Sequence, residues 1–406
     1  MPIINKSQVA QRLNFKKVGR VLAVGTLFAA TFAGYEGFVS NASAATPASA
    51  SCSRGGNARW NVCGYDTSYA FRRVHLDFCG QSPTRAETAA FNAVRSNDRN
   101  AKALISTTLD QCLKSNYWIG KDGVVWNQGV PKIGPTSSIK AGTNAGAIPL
   151  ADFEWDFNLF TYANSGDRDV RDLLRAQYFV ARAYDKPNDF RILTEEEVSK
   201  SRGAVGQPIP PERRVGMITT HWNVVLNTMF TAIPRTTAAA AYRNYLGYNL
   251  AKMQGLHPVD GEPRDYDNKG VEAPVCAGCH STIDPLTYPF TRYNGISGGG
   301  TYVATRLNGF VSTDGAGVKN APEAGVIFGQ SVKDLVEWGK VAANSEDFSK
   351  NVARDYWKLL VGREPNERDQ VEYTAMWRGL MAPAQYNYRV EKMLHGMVMT
   401  NAYGQP

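Results

Sequence analysis

Cys276-Ala277-Gly278-Cys279-His280 places two thiols and an imidazole in one short run. Thiols three positions apart can add to the two vinyl groups of a single haem, and a histidine directly after the second can ligate the iron from one face. The small Ala277 and Gly278 let the backbone approach the porphyrin edge. The competing chemistries are a thioredoxin-type redox pair, a disulfide with an incidental histidine, and half of a zinc site. A thioredoxin pair needs a preceding strand in a small α/β domain, whereas Pro274 follows an irregular, polar connection. A zinc site needs a second ligand pair, and His75, His221, His257 and His395 are scattered. The pentapeptide therefore predicts one covalently bound haem c, with Cys276 and Cys279 as attachment points and His280 as the proximal iron ligand.

The ligand on the other face of the iron separates carriers from catalysts. A methionine or second histidine saturates the metal and suits electron transfer; an open position suits oxygen or peroxide chemistry. His221, with Val224 and Val225 nearby, is the first candidate for the distal ligand, and Met217 is the alternative. Met229, Met376, Met381, Met393, His395, Met397 and Met399 are further candidates, but methionines at helical spacing are more often core than ligand. His75 reads as structural and His257, before Pro258, as exposed. Asp284-Pro285 can fix a turn that brings a carbonyl or carboxylate to the Nδ1 of His280, setting ring orientation and iron potential. Arg292 is either a partner for a haem propionate or a solvated cation.

Residues 276–295, CAGCHSTIDPLTYPFTRYNG, resemble the haem segment of single-haem cytochrome-C-like bacterial envelope proteins of unknown function, with its CxxCHxxIDP pattern. The run Phe71-Arg72-Arg73-Val74-His75-Leu76-Asp77 with Gly80, Pro83 and Thr84 is similar to the N-terminal RRxxLDxxGxxPT pattern of that family. Residues 214–219, the stretch 355–365 (DYWKLLVGREP) and Met399-Thr400-Asn401-Ala402-Tyr403 are similar to other parts of it. The resemblance implies a mainly helical haem protein and supplies no reaction.

Compartment follows from the N-terminus and the cysteines. Lys6, Arg12, Lys16, Lys17 and Arg20 precede an apolar run ending at Tyr35, and Asn41-Ala42-Ser43-Ala44 offers small residues for cleavage. This is the layout of a secretory signal peptide over residues 1–44, with an apolar run short of the roughly 20 residues that span a bilayer. Export to the periplasm or beyond, with no stable transmembrane anchor after cleavage, is the expectation. Cys52, Cys63, Cys79 and Cys112 remain outside the haem motif, and proximity favours the disulfides Cys52–Cys63 and Cys79–Cys112 in an oxidising compartment. The five basic residues of the leader against Glu36 account for four of the eight net positive charges, so the mature chain is only mildly basic. Nucleic acid is thereby not an expected partner, and no basic stripe with interleaved aromatics supports one; a redox protein is.

The elements that must position these groups read as mainly α. Helical spacing appears over 84–115, 167–184, 217–230 and 236–255, and again over 331–343, 346–361, 367–380 and 386–401. Residues 120–150, dense in glycine and proline, read as a loop, and the aromatic segment 153–162 as a strand or extended arm. The glycine-rich 295–330 allows a small hairpin from 301–305 and 310–312. The predicted architecture is a cytochrome-c-like helical haem domain with long loops, a small β-hairpin and an additional N-terminal helical domain. Its predicted boundaries are an N-terminal helical and loop domain over 45–165, a central domain with the haem motif over 166–330, and a C-terminal helical region over 331–406 packing on it. The expected function is electron transfer by an exported c-type cytochrome. The alternatives are a haem-dependent oxidoreductase acting outside the cytoplasm, or a binding or structural envelope protein with an accessory haem. No Ser/His/Asp or HExxH pattern and no phosphate-binding glycine loop occurs.

Overall fold

Asp66 begins the first helix by accepting a hydrogen bond from the Tyr69 N–H (2.8 Å), and Gly80, at a left-handed φ of 71°, ends it. The computed structural model describes residues 64–183, 188–201, 203–229, 231–252, 256–306 and 321–406. The expected signal peptide and the Cys52–Cys63 pair lie outside them. After Thr67–Cys79, a capping box of Thr84 and Glu87 opens the helix Arg85–Val94, and Asn97 caps Asp98–Cys112. Cys79 and Cys112 are disulfide-bonded with Cα atoms 4.8 Å apart, as the spacing predicted.

The described residues are mainly helical, with two short antiparallel pairs: Val180–Arg182 with Phe190–Ile192, and Gly325–Ile327 with Gln330–Val332. The second pair forms downstream of the predicted hairpin. Of residues 301–305, Tyr302 makes only an isolated bridge to Tyr293, and residues 310–312 lie outside the described residues.

Three predicted elements are corrected. The stretch 120–150 contains the helix Val124–Ile133, whose flanking Gly123 and Gly134 are its caps. Gly129, inside this helix, allows close approach to Phe160: a Cβ there would lie 3.1 Å from that ring. The aromatic segment is the helix Glu154–Ala163 and not a strand, with residues from Asp156 to Thr161 buried in succession. A helix covered on every side loses the polar stripe that marks its period. Over 167–184 only Asp172–Arg175 is helical, because tertiary bonds compete for the backbone: the Val170 N–H goes to the Tyr388 carbonyl (2.9 Å), and the Ala176 carbonyl accepts from Gly216 (2.9 Å).

The 236–255 helix is shorter than expected: Arg235–Ala241 runs into a π turn, Tyr242–Leu246, and stops at Gly247, φ 76°. Near the C-terminus, Leu335–Ala343, Glu346–Val361, Gln370–Met381 and Val390–Met397 follow the predicted order. The main core joins side chains from many parts of the described chain, among them Phe71, Trp118, Leu174, Trp222, Phe290, Trp357 and Met393, and two small clusters, around Tyr288 and around Phe179, stand beside it. The first and last helices are sewn together. Arg73 donates to the Tyr403 carbonyl (2.8 Å) and lies over its ring (4.4 Å to the centroid), and the Asp66 N–H reaches the Gly404 carbonyl (3.0 Å). Among the described residues no helix is long and apolar enough to cross a membrane.

Candidate functional site

The Cys-Ala-Gly-Cys-His run lies inside the helix Pro274–Thr287, which Pro274 opens at its first position, where a missing N–H costs nothing. Helical geometry puts Cys276 and Cys279, three residues apart, on one face. Both thiols are free; Cys276 is half-buried and Cys279 exposed. A Cβ on Gly278 would meet nothing within 4 Å, so the motif presents an open surface.

Pro285 sits in the same helix and cannot donate to the Ser281 carbonyl one turn back. The Val259 N–H takes that carbonyl instead, at 3.0 Å. The proline thus frees an acceptor that pins the preceding loop to the helix. The same loop is held by Tyr288, whose hydroxyl donates to Glu262 (2.7 Å), which in turn pairs with Arg264 (2.7 Å). Burial, with Glu262 beside it, pushes the Tyr288 phenol up.

His280, its side chain 25% exposed, and the buried Asp284 stand four residues apart and meet: Nδ1 lies 3.0 Å from the Asp284 Oδ1. Asp284 is 1% exposed and is gripped by Arg235, whose Nε donates to Oδ1 (2.6 Å) and whose Nη2 donates to Oδ2 (2.8 Å). The guanidinium's other edge holds Asp267, Nη1 to Oδ2 at 2.8 Å and Nη2 to Oδ1 at 3.3 Å. Asp267 is 4% exposed. Burial alone would lower the Arg235 pKa, but its bonds to Asp284 and Asp267 outweigh that and hold it above the ordinary value.

This is a charged core of two carboxylates and one guanidinium behind His280. A carboxylate engaged by guanidinium N–H groups acts as acceptor, so the contact is a hydrogen bond when the His280 Nδ1 carries a proton. A carboxylate–histidine pairing of this kind holds an imidazole ring in one orientation. The expectation that Asp284 serves the ring of His280 holds geometrically, through a helix turn and not through a loop.

The other sequence candidates lie elsewhere. His221 opens the helix His221–Thr228, is 4% exposed, and its backbone N–H donates to the Gln207 side chain at 2.8 Å. Burial holds its imidazole below the ordinary pKa. It lines a cavity of about 690 Å³ with Glu195, Gln207, Arg214 and Gly299, and no residue of the Pro274–Thr287 helix lines that cavity. Met217 is 3% exposed in the main core. His221 and Met217 are therefore not part of the His280, Asp284, Arg235 and Asp267 constellation. Met393 and Met397 are fully buried core residues, as their spacing suggested, and Met229 is 45% exposed. His395 has both ring nitrogens engaged, Nδ1 with Ser106 (2.8 Å) and Nε2 with Asp110 (3.0 Å). His75 is buried against Phe71, and His257 is exposed. Arg292 donates to the Ala321 carbonyl at 3.0 Å.

Sequence reasoning missed Arg235 and Asp267. They reach the site across 49 and 17 positions from Asp284, at no periodic spacing. The only local hint is Arg235 itself, a lone cation after Pro234 at the head of an alanine-rich helix. Among the described residues no cluster of three or more His, Cys, Asp or Glu side chains forms a metal cage, so a protein-only metal centre is not built here. Compared with protein-family models, with curated proteins and with solved structures, the chain matches none.

Proposed function

We propose that this protein is an exported c-type cytochrome that carries one haem on Cys276, Cys279 and His280 and passes electrons to a redox partner in the bacterial envelope. The observation that carries the reading is the pairing of free, same-face thiols with a histidine whose Nδ1 is bound to a buried carboxylate. The residues fit the group: two sulfurs on an open helix face for the vinyl carbons, and an Nε2 lone pair left for iron. A bound haem would supply one-electron chemistry at the iron. The chain's own residues would hold the porphyrin covalently, fix the imidazole plane through Asp284, and keep negative charge behind the ring.

That buried carboxylate also favours a second reading. An imidazole hydrogen-bonded to a carboxylate donates more electron density to a metal it ligates, which suits a haem oxidoreductase acting on an extracytoplasmic substrate. The iron's spin state separates the two: low-spin ferric haem fits the carrier, high-spin fits the enzyme.

The test is expression of the full chain in a host with covalent-haem maturation. Haem that stays with the polypeptide through acidic acetone, and is lost from Cys276→Ser/Cys279→Ser, is the expected result. A chain that carries no haem, or one that releases it to acetone, sinks the proposal.

A further inference from the structure

We propose that Arg235 is a positioning residue: acting through Asp284, it fixes His280 as the Nδ1–H tautomer and so leaves Nε2 as the free nitrogen. That Nε2 then serves iron rests on the proposed function; the tautomer does not.

The argument starts from what Asp284 would do alone. A buried carboxylate on a helix has two oxygens and a rotatable side chain, and nothing in its spacing from His280 selects which oxygen faces the ring. Arg235 removes that freedom. Its Nε and Nη2 engage both Asp284 oxygens, at 2.6 and 2.8 Å, so the carboxylate lies along one edge of the planar guanidinium. Oδ1, the oxygen taking the Nε hydrogen, is the one that faces His280. The guanidinium itself cannot swing, because Asp267 holds its other edge through Nη1 and Nη2.

Asp267 belongs to the loop that Val259 pins to the haem-motif helix through the Ser281 carbonyl, so the outer anchor is fixed to the helix that carries His280. The Arg235 fork thus fits between two side chains brought together from separate parts of the chain. Lysine, a point donor on a flexible stem, cannot reproduce such a two-edged grip.

The test reads the ring directly and needs no haem. The full chain, made without covalent-haem maturation and labelled with 15N-histidine, is observed by NMR at about pH 8, above the ordinary imidazole pKa of ~6.5. His280 should appear as Nδ1–H by roughly ten to one or more, the preference a charge-assisted hydrogen bond confers. Arg235→Met and Arg235→Lys should both move the ratio toward the Nε2–H form that an unconstrained imidazole favours, with helix content by circular dichroism unchanged. Asp267→Asn, which retains the inner pair and loosens the outer one, should move it less.

A wild-type ring in the Nε2–H form overturns the proposal. So does an Arg235→Lys or Arg235→Met chain with the wild-type ratio. If Arg235→Met does not fold, Arg235→Lys carries the comparison, and an unchanged ratio in it overturns the proposal. Haem attachment is scored on separately matured protein: a chain without haem but with the expected tautomers defeats the proposed function and leaves this inference standing.

Discussion

Arg235→Met and Asp284→Asn remove opposite ends of one ion pair, and they should not cost the same. Arg235→Met leaves Asp284 and Asp267, 1% and 4% exposed, side by side with no cation between them. Breaking a buried pair so that charge stays behind costs about 3–5 kcal/mol. Asp284→Asn leaves Arg235 still paired with Asp267 at 2.8 Å and exchanges charged acceptors for a neutral amide oxygen. The difference between charge-assisted and neutral hydrogen bonds puts that cost at about 1–2 kcal/mol. The gap is therefore roughly 2 kcal/mol, about thirtyfold in the unfolding equilibrium. Urea unfolding of the full chain at neutral pH, followed by tryptophan fluorescence, measures both, and Asp267→Asn should group with Asp284→Asn. If Asp284→Asn costs as much as Arg235→Met, the charge accounting behind His280 is wrong.

Two further predictions concern the scaffold. Asp156, 1% exposed and hydrogen-bonded by Thr220, has its carboxyl raised well above the ordinary value, chiefly by burial. A folded-state pKa above the unfolded ~3.9 means that its stabilising contribution is complete below that value and is lost as pH rises through the folded one. Asp156→Asn, which cannot ionise, should therefore gain on the wild type in urea midpoint as pH rises above ~3.9; parallel profiles would remove burial as the cause. The Cys79–Cys112 bridge closes a separation of 33 residues, and the chain-entropy relation gives it about 3–4 kcal/mol. Cys79→Ala/Cys112→Ala should lower the unfolding free energy by that amount, and a loss under ~1 kcal/mol would show that the helices hold the register unaided.

The parts of the molecule that were legible in sequence are those whose signal is local. The order of the C-terminal helices, the Cys79–Cys112 pair and the service of Asp284 to His280 all follow from periodicity or short spacing. The misread elements failed where tertiary structure supplies what sequence lacks. Phe157 and Phe160 lie in a helix without a polar stripe, so alternation of aromatics imitated a strand. Gly123 and Gly134 mark the ends of a helix, and their density with Gly129 and Pro131 imitated a loop. At the site, His280 and Asp284 share a helix turn and were visible; Arg235 and Asp267 come from other segments and are joined to it only by the folded chain.

The seam between Arg73 and Tyr403 sets an order of events during synthesis. The first helix of the described unit, Thr67–Cys79, completes its contacts only with carbonyls contributed by Leu360 and Tyr403 and with the Tyr403 ring. Contacts across about 330 residues cannot form until Tyr403 has been made. The Pro274–Thr287 helix has by then already been made. A chain truncated before Tyr403 would therefore keep this helix and lack the contacts that Arg73 makes with the carbonyl and ring of Tyr403.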